Sequence, residues 1–134
     1  MNCSEALLFV YGTLRPGFGG EMAAWLAGVA EYRGRAVARG ALYRVDYYPG
    51  FVPGEAGEVV GDLVLLRDAA ALLPLIDAHE ECTADFPEPH EYRRERLMVE
   101  GVMGAVEAWT YVYAYPVEGL ARIVGGDFLS SVGR

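Results

Sequence analysis

LFVYGTLRPG, residues 8–17, is the stretch from which the rest of the chain can be read. Four strand-forming residues, Leu8-Phe9-Val10-Tyr11, run straight into Gly12-Thr13-Leu14-Arg15-Pro16-Gly17, so a buried strand over 6–11 should end in a loop able to expose its backbone. Downstream, Met22, Trp25, Leu26 and Val29 fall at helical spacing and predict an amphipathic helix from Glu21 to Tyr32. Further strands are expected over 35–45, 56–66, 92–100 and 105–115, separated by Gly and Pro. A second helix should start near Asp68 as N-cap and carry Leu72, Leu73, Leu75 and Ile76 towards His79, with Pro74 kinking or restarting it. Residues 116–134 offer no functional pattern.

With 134 residues, 53% of them hydrophobic and 22% charged, the chain is expected to form a single domain over residues 1–134. Its first twenty residues contain Glu5 and lack both a basic n-region and a long apolar run, so neither a signal peptide nor a membrane span is expected. Two cysteines, Cys3 and Cys82, could pair once at most, and a free-thiol cytoplasmic protein is the simpler expectation. A net charge of −8 speaks against nucleic-acid binding, since the one dense basic run, Arg93, Arg94 and Arg96, is interrupted by Glu95 and preceded by Glu91. All eleven basic residues are arginines. Without a lysine, Schiff-base chemistry and a Walker A phosphate loop are excluded.

VEAWTYVYAY, residues 106–115, places Trp109, Tyr111, Tyr113 and Tyr115 at period two on one strand face, with Ala108, Thr110, Val112 and Ala114 on the other. Such a stripe packs a core or lines a small polar cavity. Nucleophiles are few. Ser4, Ser130 and Ser131 lie near the ends, Thr13, Thr83 and Thr110 lack an evident base, and no G-x-S-x-G elbow is present. His79 and Cys82 could form a thiol–imidazole pair, and the same residues with Glu80, Glu81 and His90 could hold a metal, but neither spacing matches an established pattern. The plainer account is a partly exposed histidine beside an inert thiol at a helix end.

A carboxylate remains. LIDAHEE, residues 75–81, puts Asp77 and Glu80 on neighbouring positions of one helix face, at the end where negative charge is least welcome. A solvated helix end is one explanation. The other is an acid kept partly desolvated, with a raised pKa, able to act as general base and then general acid near neutral pH.

These residues resemble a known family. VYGTL (10–14), YPGFVPGEAGEVVGDLVLL (48–66), LIDAHE (75–80), YRRERLMV (92–99) and AWTYVY (108–113) are similar, in order, to blocks of the gamma-glutamylcyclotransferase-like proteins, which include avirulence-induced-gene-like and gamma-glutamylamine cyclotransferase-like members. The resemblance covers about residues 7–113 and implies an α+β fold, a small mixed β-barrel flanked by two or more short helices, with a cavity at the end of the first strand. By resemblance, Tyr11, Gly12, Thr13 and Leu14 present backbone to a γ-glutamyl group, Gly12 letting the backbone approach it closely. Arg94 and Tyr111 join them in binding substrate, and Glu80 is the catalytic acid–base. Tyr111, if it lines the cavity, should reach the loop or Glu80 with its hydroxyl.

The implied reaction is intramolecular aminolysis giving 5-oxoproline and a free amine, with neither cofactor nor metal. The alternative is a non-catalytic module that binds a small metabolite in the same cavity. The chain departs from the family pattern in having Glu81 where a glycine commonly follows the glutamate, and His79 where an aromatic is frequent. CTADFPEPHE, residues 82–91, either covers the cavity or is a surface excursion. The expected partner is a small γ-glutamyl metabolite, with no nucleic acid and no membrane; a homodimer is left open.

Overall fold

The computed structural model describes residues 4–131. Cys3 therefore lies outside the described residues. Strand β1 (Ala6–Val10) pairs antiparallel with β3 (Pro49–Leu66), Leu8 facing Val64, and touches β5 (Gly104–Tyr113) in parallel at Leu8 and Trp109. Flanked on both edges, β1 is apolar throughout, and its alternation divides the core. Leu8 and Val10 pack with Leu26, Leu66, Leu73 and Ile76 in one cluster; Phe9 and Tyr11 pack with Phe51, Val59, Leu63 and Phe128 in the other.

Helix α1 (Glu21–Val29) buries Ala23 and Leu26 and carries Glu21 in its first turn, where the helix dipole favours an acid. It stops three residues before the expected end. Ala30 is extended, at φ −128° and ψ 159°, and Tyr32 already belongs to β2 (Glu31–Arg44), paired with Val64. Ladder hydrogen bonds to β3 claim a segment whose apolar spacing also suits a helix. The β2–β3 hairpin is longer than expected because PGFVP, residues 49–53, pairs with the end of β2, Leu42 facing Phe51 and Arg44 facing Pro49. The register then jumps: Gly40 faces Pro53 but Arg39 faces Glu58, and residues 54–57 bulge out. Gly40 sits at φ +149°, and a Cβ there would lie 2.3 Å from the Val52 carbonyl oxygen, so only glycine fits.

Helix α2 (Ala69–His79) starts where expected, but the Asp68 side chain makes no cap bond. Ser4 does the capping instead, its carbonyl accepting from Ala69 N–H and its hydroxyl from Ala70 N–H, both at 2.7 Å. Pro74 neither restarts nor ends the helix. It lies on the exposed face, where water can satisfy the carbonyl it leaves without a donor. Strands β4 (Tyr92–Gly101) and β5 form a hairpin, β4 pairs with β2 at Val37–Glu100, and β6 (Ala121–Arg122) extends the far end of β2. The pairings β1–β3–β2–β4–β5–β1 thus run in a closed circuit. The mixed α+β class expected from the sequence is the one found, with a six-stranded sheet and short helices, the last being α3 (Phe128–Ser131). No described helix is long and apolar enough to cross a membrane.

Of the aromatic strand, Tyr111 and Tyr113 are buried, but Tyr115 lies beyond the end of β5 and is exposed. Trp109 is only half-buried, with the Arg94 and Arg96 guanidinium carbons 4.4 and 4.5 Å from its ring. The opposite face, Ala108, Thr110 and Val112, is equally buried, since the closed circuit covers both.

Candidate functional site

At the end of β1 the chain turns through Gly12–Arg15, with Arg15 N–H donating to the Gly12 carbonyl at 3.0 Å. The N–H groups of Thr13 and Leu14 find no acceptor among the described residues. Packing within the chain also requires glycine at 12. A Cβ there would meet Pro49 Cγ at 2.7 Å, so the glycine lets the loop close against the start of β3.

Behind the loop, Arg15 is almost fully enclosed. Its Nε donates to Asp62 at 2.8 Å and its guanidinium to Asp127, also at 2.8 Å, while Tyr32 OH donates to the second Asp62 oxygen at 2.8 Å. A buried arginine with two carboxylate partners fixes the loop to β3 and to the segment before α3. None of Arg15, Asp62 or Asp127 was singled out by sequence. The available signal was Asp62, one acid inside the apolar run VVGDLVLL.

The loop forms one wall of a cavity of about 290 Å³ that Gly12, Thr13, Leu14, Tyr11, Tyr111 and Glu80 line. Six of the seven expected site residues are thus brought together. Glu80 follows the last residue of α2, its N–H still bonded to the Ile76 carbonyl at 2.9 Å. Glu81 then adopts a left-handed conformation at φ 59°, Glu81 N–H bonds to Ala78 O, and Cys82 N–H bonds to Asp77 O. This helix-ending turn normally takes glycine at the left-handed position. The family's usual glycine after its glutamate therefore has a conformational reason, and Glu81 meets the same demand under strain.

The Glu80 carboxylate accepts no hydrogen bond from the described residues. Burial, then the negative charges of Glu91, Glu81 and Asp77, push its pKa from 4.5 up to about 7. One turn earlier, Asp77 is tied down. Arg94 Nε reaches one carboxylate oxygen at 2.8 Å and a terminal guanidinium nitrogen the other at 3.1 Å, while Tyr111 OH donates to Asp77 at 2.7 Å. Two expectations change here. Arg94 does not line the cavity: it anchors the end of α2 from β4. The Tyr111 hydroxyl serves the same anchor and reaches neither the loop nor Glu80, although its ring lines the cavity. Tyr11 OH in turn donates to the Tyr111 carbonyl at 2.6 Å, and burial, followed by the charge of Glu80, holds its pKa well above the usual range.

Sequence reasoning also passed over Glu91 and Tyr48. Both line the cavity, with Tyr48 OH donating to Glu91 at 2.7 Å. Cys82 is a free thiol whose pKa burial pushes up to about 11, the opposite of an activated nucleophile. His79 is displaced towards its neutral form, mainly by burial. No group of three potential ligands is placed to hold a metal ion among the described residues.

The family model described as gamma-glutamyl cyclotransferase, AIG2-like, matches residues 8–130. The chain belongs to this family. Gamma-glutamylcyclotransferase family protein YtfP of Escherichia coli is 33% identical over 122 residues, which cover 91% of this chain and 95% of YtfP. The solution structure of E. coli ytfP aligns with a TM-score of 0.61 at 34% identity, covering 93% of this chain and 97% of that one. The crystal structure of a mouse aig2-like protein aligns with a TM-score of 0.69 at 25% identity, over 85% of this chain and 81% of that one. Bacillus subtilis YkqA shares the fold, with a TM-score of 0.72 at 22% identity; the match covers 94% of this chain but only 40% of the YkqA chain. In this chain Gly12–Leu14 and Glu80 face one cavity.

Proposed function

We infer that the protein is a cyclotransferase that cleaves a γ-glutamyl amide or amine by intramolecular aminolysis, releasing 5-oxoproline and the free amine. One observation carries this reading: an unpartnered carboxylate, poised near neutral pKa, shares a cavity with unpaired backbone N–H groups. Glu80, ionised, takes a proton from the substrate's α-ammonium. The freed nitrogen attacks the γ-carbonyl carbon and closes a five-membered ring. The N–H groups of Thr13 and Leu14 are suited to receive the oxygen as it gains negative charge. As the carbon–nitrogen bond to the amine breaks, Glu80 returns its proton to the departing nitrogen. A second proton passes from the ring nitrogen to that same amine, which leaves as an ammonium ion. Nucleophile and electrophile belong to one molecule, so a high effective molarity supplies much of the rate once both are held in place. A cytoplasmic setting belongs to the same reading and rests on the scarcity of cysteine.

The test is 5-oxoproline release from a panel of γ-glutamyl compounds by the wild type and by Glu80→Gln. The variant keeps the shape of the side chain and removes the proton acceptor, so turnover should fall by about two to four orders of magnitude. Equal rates from two equally stable proteins would remove Glu80 from the mechanism. Ligand affinity without release from either would favour the metabolite-binding module.

A further inference from the structure

Glu91 is the second carboxylate facing the cavity, and it is held there. It immediately precedes β4, its carbonyl accepts from Ala114 N–H at 2.7 Å, and its side chain accepts from Tyr48 OH at the same distance. Glu80, Glu81 and Glu91 all line the cavity, while no arginine does among the described residues and the chain has no lysine. The other groups there leave this charge without a partner. His79 is held towards neutrality, the nearby Arg94 is already taken up by Asp77, and the hydroxyls of Tyr11, Tyr92 and Tyr111 are spent on the Tyr111 carbonyl, the Pro49 carbonyl and Asp77. A cavity of this sign is built for a ligand that brings a cation, and a γ-glutamyl group carries one in its α-ammonium.

We propose that Glu91, braced by Tyr48, binds the α-ammonium of the γ-glutamyl group and holds one of its N–H bonds towards Glu80. The assignment rests on the cyclotransferase reading of the cavity. It divides the work between the two carboxylates, Glu91 holding the nitrogen and Glu80 moving its proton. It also couples binding to chemistry. In the empty cavity the charge of Glu91 is the foremost of the neighbouring charges that favour protonated Glu80. An ammonium paired with Glu91 offsets that charge, so Glu80 ionises when the substrate arrives and the base is armed by the ligand it will deprotonate.

Binding is measured by calorimetry in a Glu80→Gln background, where turnover is stopped, with γ-glutamylmethylamide and with its deamino analogue, which lacks the α-ammonium. Adding Glu91→Gln should weaken the first ligand about tenfold or more, as expected for a lost charge-assisted hydrogen bond, and leave the second unchanged. Glu91→Asp should recover part of the loss. The glutamine can still accept from Tyr48, and thermal melting checks that the fold is kept. Equal weakening of both ligands would make Glu91 a shaping residue only, and no weakening of either would also overturn the proposal. In the otherwise wild-type enzyme, Glu91→Gln should raise KM and move the acid limb of kcat/KM to lower pH, because Glu80 then loses its proton earlier. An unmoved limb would refute the coupling. A wild type that releases no 5-oxoproline, yet shows the ammonium-dependent difference in binding, would defeat the cyclotransferase reading and leave Glu91 as an ammonium site.

Discussion

Glu80→Gln can be examined through stability alone, without any substrate. The carboxyl group's pKa rises from 4.5 to about 7 in the folded protein, chiefly because burial disfavours its charge. Each unit corresponds to about 1.4 kcal/mol, so ionised Glu80 costs the fold about 2–3 kcal/mol once its cavity-facing surface is allowed for. Between pH 4.5 and 7 the folded protein keeps this proton and the unfolded chain has lost it. Stability from this group therefore falls as the pH rises through that window and levels off above it. Glutamine cannot ionise, so the variant should be more stable than the wild type at pH 8 by about 2–3 kcal/mol, with the gap closing towards pH 5. In urea unfolding, with a slope of about 2 kcal/mol per molar, this is a midpoint difference of about 1 M at pH 8. A variant no more stable than the wild type at pH 8, or two pH profiles that run parallel, would refute the reasoning: the carboxylate would then be solvated or paired. The expected result, a variant that gains stability as it loses turnover, marks a residue kept for its chemistry.

Glu81→Gly should relieve the left-handed strain at φ 59° and stabilise the protein by about 0.5–1 kcal/mol, the conformational gain outweighing the added freedom of the unfolded chain. A raised urea midpoint is the check, and removal of one like charge should also lower the pKa of Glu80, read as a shift of the acid limb of kcat/KM. Asp77→Asn leaves the half-buried Arg94 without its counter-charge and should cost about 2 kcal/mol, read as a lower melting temperature. Turnover should fall with it, because the turn that carries Glu80 loses its tie to β4 and β5.

The parts of the fold that were legible in the sequence were those fixed by local composition. The run Leu8–Tyr11 ended in glycine, and the turn of the β4–β5 hairpin lies between Gly101 and Gly104. The parts that were not legible were settled by partners distant in sequence. Tyr32 continues the spacing of α1, yet its backbone is taken by β3; Asp68 is a good capping residue, yet Ser4 reaches α2 first. The site divides in the same way. Glu80 and the loop at Gly12–Leu14 share a cavity as the family pattern implied, because each sits at the end of an element whose course is local. Arg94 and Tyr111 match the pattern, but their task, holding Asp77, depends on three elements meeting and has no mark in the chain. Glu91 sits within an acidic, proline-punctuated segment, where a carboxylate that faces the cavity looks like its solvated neighbours.

The closed circuit of strands imposes an order on biosynthesis. Residues 12–14 leave the ribosome early and Glu80 much later, and β1 receives its second neighbour only when Trp109 has been made. Until then the first strand has an open edge, and Asp77 lacks the hydroxyl of Tyr111 that helps to hold the turn carrying Glu80. Contacts so distant in sequence are slow to form, and the nascent chain waits for them. The cavity is thus completed only as the last long strand docks, so a chain cut short before β5 carries Glu80 and the loop but no pocket that brings them together.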